Sequence, residues 1–274
     1  RCGFYKIRRL TTGSLLMPIA TNNSVFFSII IPTYNSAAFI GKCLDSITRQ
    51  TFKDYEIIIY DGLSEDGTLE QVNSAKKENP AVQINVYSEE DTGVYDAMNK
   101  AITKSKGQWL YFLGSDDRLF DSDTLQRVSR QNLKGNVVYG NVKMIYSEDV
   151  YNGPYTLGKI LFENNICHQA IFYNRTVFEK IGFYNTEYRI YADYDFNIRC
   201  FLDGTVRLHY INEVIAWYNE REGLTGRNTP DLAFHNRREE YRKAYRQSIP
   251  GRFYPILKLF RNNLGKLKHK LSMY

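Results

Sequence analysis

The sequence predicts an α/β fold with a mixed, mostly parallel sheet flanked by helices, and three observations predict it. Short apolar runs alternate with segments of helical period through the first half of the chain. Turn-forming residues close those runs, among them Pro32 and the pair Asp61-Gly62. Hydrophobic residues make up 43% of the 274, enough for a sizeable core, with 22 tyrosines and 16 phenylalanines that suit sheets and ring-lined clefts.

The elements follow in order. FFSIII (26–31) reads as a buried strand stopped by Pro32, and AAFIGKCLDSI (37–47) places apolar residues at helical spacing. YEIIIY (55–60) is a second strand, 67–77 a helix, and VQINVYS (82–88) a third strand. Helix 94–106 carries Val94, Ala97, Met98, Ala101 and Ile102 as its core stripe and stops at Gly107, where glycine suits the left-handed residue past a helix end. QWLYFL (108–113) is the fourth strand. Beyond it the pattern gives strands at 137–145, 168–173 and 205–211, and helices at 175–181, 193–202 and 231–248.

Charge is distributed unevenly. The net value is +6, yet from Arg237 onward eleven basic residues face only Glu239 and Glu240, so the rest of the chain is slightly acidic. That stretch reads as a basic helical tail suited to solvent, a partner or an anionic membrane surface. A nucleic-acid partner is rejected, because carboxylates at the strand tips would repel phosphates unless a metal intervened. Cys2, Cys43, Cys167 and Cys200 are scattered without a C-x-x-C pair, which predicts free thiols in a reducing compartment. No apolar run reaches the roughly 20 residues of a membrane span, and the first sixteen residues read as an extension outside the fold. A cytoplasmic protein is the expectation.

The chemistry is announced by where the carboxylates fall. Asp61 follows the second strand, Asp91 the third, and Asp116 with Asp117 the fourth. Open parallel sheets bind ligands at these strand ends. Clustered carboxylates raise one another's proton affinity unless a cation balances them, and Mg²⁺ or Mn²⁺ bridging to a diphosphate is the fitting one. The competing reading of SDD alone is a solvated turn that begins the next helix.

Taken together, PTYN (32–35), DGLSEDGT (61–68), DTGVYDAMN (91–99) and SDD (115–117) resemble, in order and spacing, the nucleotide half of family 2 glycosyltransferases with the GT-A fold, of the bacterial polysaccharide type. The resemblance runs from about residue 26 to 120 and more weakly to about 226. It divides the chain into an N-terminal extension (1–24), a GT-A domain (25–228, with a nucleotide-binding half 25–120 and an acceptor half 121–228) and the tail (229–274).

The resemblance implies a Rossmann-like sheet and roles for single residues. Pro32, Thr33 and Tyr34 would face the nucleobase, and Asp61 would accept a hydrogen bond from it. Asp91 and Asp116 would border the nucleotide-sugar, and Asp117 would hold the metal. Asn99 and Lys100 either border the nucleotide or, for Lys100, form a surface pair with Asp96 at i, i+4. Many relatives carry Asp or Asn where Gly114 stands, which leaves one strong side-chain ligand.

Inverting transfer needs a base for the acceptor hydroxyl. Within YADYDFNIR (191–199), the resemblance gives this task to Asp193, with Asp195 in support or paired with Arg199. The alternative for Asp193 is a helix cap. His168 would lie near the acceptor, and Arg221 or Arg227 would neutralise the leaving diphosphate, unless they belong to an ordinary surface loop. The implied function is an inverting transferase using a nucleotide-sugar, UDP-linked by family habit, on a saccharide or lipid-linked saccharide in polysaccharide assembly. Two other readings stand: a nucleotidyltransferase, although IPTYNSAAF lacks a glycine-rich basic loop, and a non-catalytic nucleotide-sugar binding protein.

Overall fold

The computed structural model describes residues 25–131, 135–221 and 231–248. β1 (Val25–Thr33), β2 (Tyr55–Asp61), β3 (Gln83–Ser88) and β4 (Gly107–Phe112) form a parallel block in the order β3-β2-β1-β4. All seven residues of β2 are buried, as expected of a strand covered on both faces. α1 (Ile40–Thr48), α2 (Thr68–Glu78) and α3 (Val94–Lys104) make the crossovers. Ile40, Cys43, Leu44 and Ile47 of α1 fall at i, i+3, i+4 and i+7 and are fully buried, joining Phe27, Ile29, Ile57 and Ile59 in one core cluster.

The second half extends the same sheet with a different register. β8 (Ile171–Asn174) pairs antiparallel with β4 and with β6 (Val137–Met144), and β6 runs parallel to β9 (Leu208–Tyr218). β5 (Arg118–Leu119) lies antiparallel on β9, and β7 (Val150–Tyr151) antiparallel on β6. Among the described residues the sheet thus has nine strands, parallel in its first half and mainly antiparallel in its second. The helices here are α4 (Thr124–Arg130), α5 (Leu157–Phe162), α6 (Arg175–Ile181) and α7 (Ala192–Leu202).

Four local expectations are corrected. Pro32 does not stop the first strand; it lies inside β1, opposite Tyr60. The β1–β4 ladder ends where the Leu113 N–H donates to the Ile30 carbonyl, so the missing proline N–H falls where no further partner is needed. Gly107 is not a left-handed helix cap: α3 ends at Ser105 (φ −75°, ψ 151°), and Gly107 opens β4. A Cβ there would lie 2.3 Å from the Ser28 backbone nitrogen, so glycine serves close strand approach. His168 occupies a 3-10 turn (His168–Ala170) ahead of β8 rather than a strand. β9 runs on to Tyr218, past the expected end at 211.

The chain divides into two compact units between Phe234 and His235. α8 (Leu232–Ser248) is capped by Asp231, whose carboxylate accepts from the Phe234 N–H, and its later turns carry the ion pairs Arg237–Glu240 and Arg242–Glu239. The expected N-terminal extension, most of the basic tail and Arg227 lie outside the described residues. No helix among the described residues is long and apolar enough to cross a membrane.

Candidate active site

A cleft of about 750 Å³ opens at the carboxyl ends of β1 and β4. The strand order reverses there, because β2 and β3 lie to one side of β1 and β4 to the other. Its volume suits a cofactor-sized ligand. Asp91, Asp116, Asp117 and Asp193 all line it, and no lysine or arginine does so among the described residues.

One corner is built by the loop after β1. Pro32, Thr33 and Tyr34 line the cleft, with Tyr34 66% exposed. Asp91 meets them over Gly62: a Cβ at Gly62 would lie 2.7 Å from Asp91 Oδ2 and 3.5 Å from the Tyr34 ring. Burial, together with the charges of Asp96 and Asp61, raises the Asp91 proton affinity against the Gly93 N–H bond and Lys100. Asp61, expected to meet the base, is fully buried and lies outside the cleft lining. Its carboxylate accepts from Thr33 Oγ1 (3.2 Å), Ser64 N (3.0 Å), Ser64 Oγ (2.5 Å) and Ser88 Oγ (2.9 Å). Those four donors fasten the β1 and β2 tips, so the accessible carboxylate at this corner belongs to Asp91.

The acidic pair divides its labour. Asp116 is half-buried in the cleft, whereas Asp117 is 2% exposed, with Oδ2 accepting from Gln169 Nε2 (2.6 Å) and Oδ1 from Asn219 N (2.8 Å). Burial, then the neighbouring Asp116 charge, pushes the Asp117 carboxyl well above its ordinary range. Gly114 is required by this arrangement, since a Cβ there would lie 2.5 Å from Asp117 Oδ2 and 2.9 Å from Asp116 Oδ1. Among the described residues no group of three His, Cys, Asp or Glu closes around an ion. Two adjacent carboxylates in a cleft without a cationic side chain nevertheless fit Mg²⁺ or Mn²⁺, which commonly take one or two carboxylates and complete their shell with phosphate and water oxygens.

Across the cleft Asp193 sits in the first turn of α7 and is 8% exposed. Tyr191 occupies the N-cap position without a side-chain capping bond, so Asp193 lies inside the first turn rather than at the cap itself. Asp193 Oδ1 accepts from the Tyr95 hydroxyl (2.8 Å) and Oδ2 from Asn165 Nδ2 (2.7 Å). His168 Nδ1 lies 3.9 Å from Oδ2, beyond hydrogen-bonding distance. Burial raises the Asp193 proton affinity against the pull of His168 and Tyr95, and burial lowers that of His168.

The other expected residues are placed elsewhere. Asp195 pairs with Arg199 at 2.7 Å, and Arg199 also donates to the Ile181 and Phe183 carbonyls, so the pair braces the α6–α7 connection. Asn99 brackets the Tyr184 backbone through both its amide atoms. Lys100 bonds the Glu90 carbonyl and pairs with Asp96 at 3.2 Å, the surface alternative at i, i+4. The Arg221 guanidinium lies 3.9 Å from the centre of the Tyr146 ring. None of these four lines the cleft.

Three lining residues whose side chains donate to the site carboxylates were missed by the sequence reading: Tyr95, Asn165 and Gln169. Tyr95 takes the buried place on α3 expected for Val94, which is only half-buried. Its signal was a tyrosine inside an apolar stripe, which needs a polar partner. Asn165 and Gln169 flank His168 within NNICHQA, and no periodicity distinguishes them from other loop amides.

The model of the family described as Glycosyl transferase family 2 matches residues 28–195. A PGL/p-HBAD biosynthesis glycosyltransferase of Mycobacterium bovis (strain BCG / Pasteur 1173P2) is 46% identical over 202 residues, covering 73% of this chain and 78% of that protein. Among solved structures, S. aureus TarS in complex with UDP-GlcNAc aligns at TM-score 0.60 and 20% identity, over 75% of this chain and 61% of that one. In a longer TarS structure the match spans 36% of that chain, so the present chain corresponds to about a third of it. A mannosyltransferase of Pyrobaculum calidifontis in complex with GDP-Man and Mn²⁺ aligns at 0.60 and 21% identity, over 88% and 70% of the two chains. These structural likenesses show a shared GT-A fold.

Proposed function

We propose a function from the family outward: the chain belongs to glycosyl transferase family 2 and is a glycosyltransferase. The reaction proposed is inverting transfer of a sugar from a nucleotide-sugar, UDP-linked, to a saccharide acceptor carried on a lipid in polysaccharide assembly. The observation that carries it is the placement of Asp116 and Asp117 in one cleft with Asp193, whose carboxyl is held by donors rather than paired with a cation. The TarS complex with UDP-GlcNAc and the Pyrobaculum complex with GDP-Man and Mn²⁺ support a nucleotide-sugar in a cleft of this fold.

Tyr34 and Asp91 would receive the nucleobase, replacing Asp61 in that role. Asp117, with Asp116 beside it, would hold Mg²⁺ or Mn²⁺, which when bound offsets the charge of the diphosphate. Asp193 would take the proton of the acceptor hydroxyl as that oxygen attacks the anomeric carbon. His168, neutral near pH 7 because burial lowers its pKa, would border the acceptor as a hydrogen-bonding group. The basic residues from Arg237 onward support contact of the tail with an anionic membrane surface on the cytoplasmic side.

The test is a panel of nucleotide sugars assayed for turnover with Mn²⁺, with Mg²⁺ and with chelator. Asp117→Asn is expected to lose metal-dependent nucleotide binding, and Asp193→Asn to keep binding while losing transfer. Normal binding and turnover in both variants would remove the assignment.

A further inference from the structure

Tyr95 holds a position that the proposed chemistry has not used. Its hydroxyl oxygen lies 2.5 Å from the Ile190 carbonyl and 2.8 Å from Asp193 Oδ1. A phenol has one hydrogen, so it donates to one of these oxygens at a time. When the hydrogen points to Ile190, the Tyr95 oxygen can only accept, and a contact at 2.8 Å with Asp193 is then favourable only if Asp193 carries a proton. When Asp193 is ionised, the hydrogen belongs on Oδ1, where a charge-assisted bond is stronger. The two hydrogen positions therefore correspond to the two charge states of Asp193.

We propose that Tyr95 is a positioning residue for the base, its hydroxyl hydrogen held on Asp193 Oδ1 while Asp193 is ionised and turned to the Ile190 carbonyl once Asp193 has taken a proton. This rests on the reading of Asp193 as the base. In transfer the acceptor O–H bond breaks, its electron pair forms the bond to the anomeric carbon, the bond from that carbon to the diphosphate leaves with its pair, and the proton passes to Asp193. Tyr95 loses no proton; only its O–H direction changes. Burial raises its phenol well above the ordinary value, consistent with a group that never ionises.

The surroundings keep the switch local. Among the described residues, the titratable groups facing Asp193 are Tyr95 from α3, Cys167 and His168 from the turn before β8, Tyr173 from β8, and Tyr184 between α6 and α7. Burial keeps the phenols and the thiol protonated and His168 neutral. The second oxygen is tied differently: Asn165 donates to Oδ2, Asn197 Nδ2 donates to Asn165 Oδ1 (3.0 Å), and the Tyr173 hydroxyl donates to Asn197 Oδ1 (2.7 Å). That chain of amides fixes Oδ2 as an acceptor, which leaves Oδ1 as the side that answers a change of charge.

The test is Tyr95→Phe, which keeps the ring packed against Tyr184 (5.6 Å between centroids) and removes only the hydroxyl. The carboxylate loses a donor, so its pKa rises: the acid limb of kcat/KM is expected to move up by about one pH unit, with about a tenfold loss of kcat/KM below it. Donor binding is expected to stay unchanged. Tyr55→Phe, which removes a buried hydroxyl donated to the Ile47 carbonyl away from the cleft, is expected to lower stability and leave the limb in place. In the unsubstituted protein, the ¹³Cζ shift of Tyr95 is expected to titrate with the same midpoint as the ¹³Cγ shift of Asp193, a readout that stands even if the variant fails to fold. An unmoved limb in Tyr95→Phe, or a Tyr95 shift that stays flat through the Asp193 titration, overturns the proposal. Full turnover in Asp193→Asn would instead show that the base was misassigned.

Discussion

The side-chain amide of Gln169 donates to Asp117 Oδ2 across 2.6 Å, joining the turn that carries His168 to the tip of β4. The first half of the chain supplies the carboxylate and the second half supplies a donor that lowers its proton affinity against burial and Asp116. Asn219 at the end of β9 supplies the other, through its backbone N–H. The metal-binding end of the proposed site is therefore built by both halves of the sheet.

Replacing Gln169 with leucine should weaken metal-dependent nucleotide binding in a pH-dependent way. The amide bond lowers the Asp117 proton affinity against burial and Asp116, so its loss raises that affinity further. Protons then compete with the ion, and the deficit grows as pH falls and shrinks as it rises. Hydrogen bonds to charged groups contribute about 1.5–3 kcal/mol, which corresponds to at least tenfold in affinity. Calorimetry of UDP with Mn²⁺ at pH 6 and pH 8 checks this; equal affinity for both proteins at both pH values would contradict it.

The pH profile should show which group accepts the acceptor proton. Burial holds the Asp193 carboxyl above the ordinary carboxylate pKa and His168 below the ordinary imidazole pKa. A base must be ionised to act, so activity should fall as pH drops through the raised Asp193 value, above the roughly pH 4 of an exposed aspartate. In His168→Gln the limb should remain. Loss of the limb in that variant would move the base to His168.

What was legible depended on the range of the interaction. Apolar runs such as YEIIIY and the stripe of α1 announce buried elements because burial is decided by residues a few positions apart. The strand tips bearing Asp91, Asp116 and Asp117 were legible for the same reason, since a parallel sheet must end each strand on the same side. The fate of Asp61 was not: four donors from three different segments close over it, and no local pattern records them. Gln169 and Asn165 escaped likewise, because their partners lie 52 and 28 residues away. Pro32 and Gly107 were misread by local rules that tertiary contacts outweighed, a ladder end in one case and the Ser28 backbone in the other.

Asp195→Ala should damage stability rather than chemistry. Its carboxylate is buried against Arg199 at 2.7 Å, and the guanidinium also ties down two carbonyls before α7. Removing one member of a buried pair leaves the other uncompensated, at about 3–5 kcal/mol; the side chain of Arg199 is 23% exposed, which places the expected loss at the low end of that range. Thermal unfolding should show a clear drop, while the folded fraction binds nucleotide with unchanged affinity. A variant with native stability and lost transfer would return Asp195 to the active site.

Two glycine substitutions separate the site from the scaffold. At Gly107 a Cβ would meet backbone, 2.3 Å from Ser28 N and 2.7 Å from Phe27 C, and neither atom can move without opening the β1–β4 ladder. At Gly114 the same atom would meet the ends of two side chains, Asp117 Oδ2 at 2.5 Å and Asp116 Oδ1 at 2.9 Å, which can rotate away at the expense of their hydrogen bonds. Gly107→Ala is therefore expected to destabilise the fold by at least the 1–3 kcal/mol typical of overpacking, with binding intact in whatever remains folded. Gly114→Ala should unfold near the native temperature and lose most metal-dependent uptake of UDP, because displacing Asp117 breaks its bonds to Gln169 and Asn219. Melting curves with and without UDP and Mn²⁺ read both effects at once: the ligand-induced shift should survive in the first variant and vanish in the second. A preserved shift in Gly114→Ala would show that the acidic pair is not where the ion and the diphosphate meet.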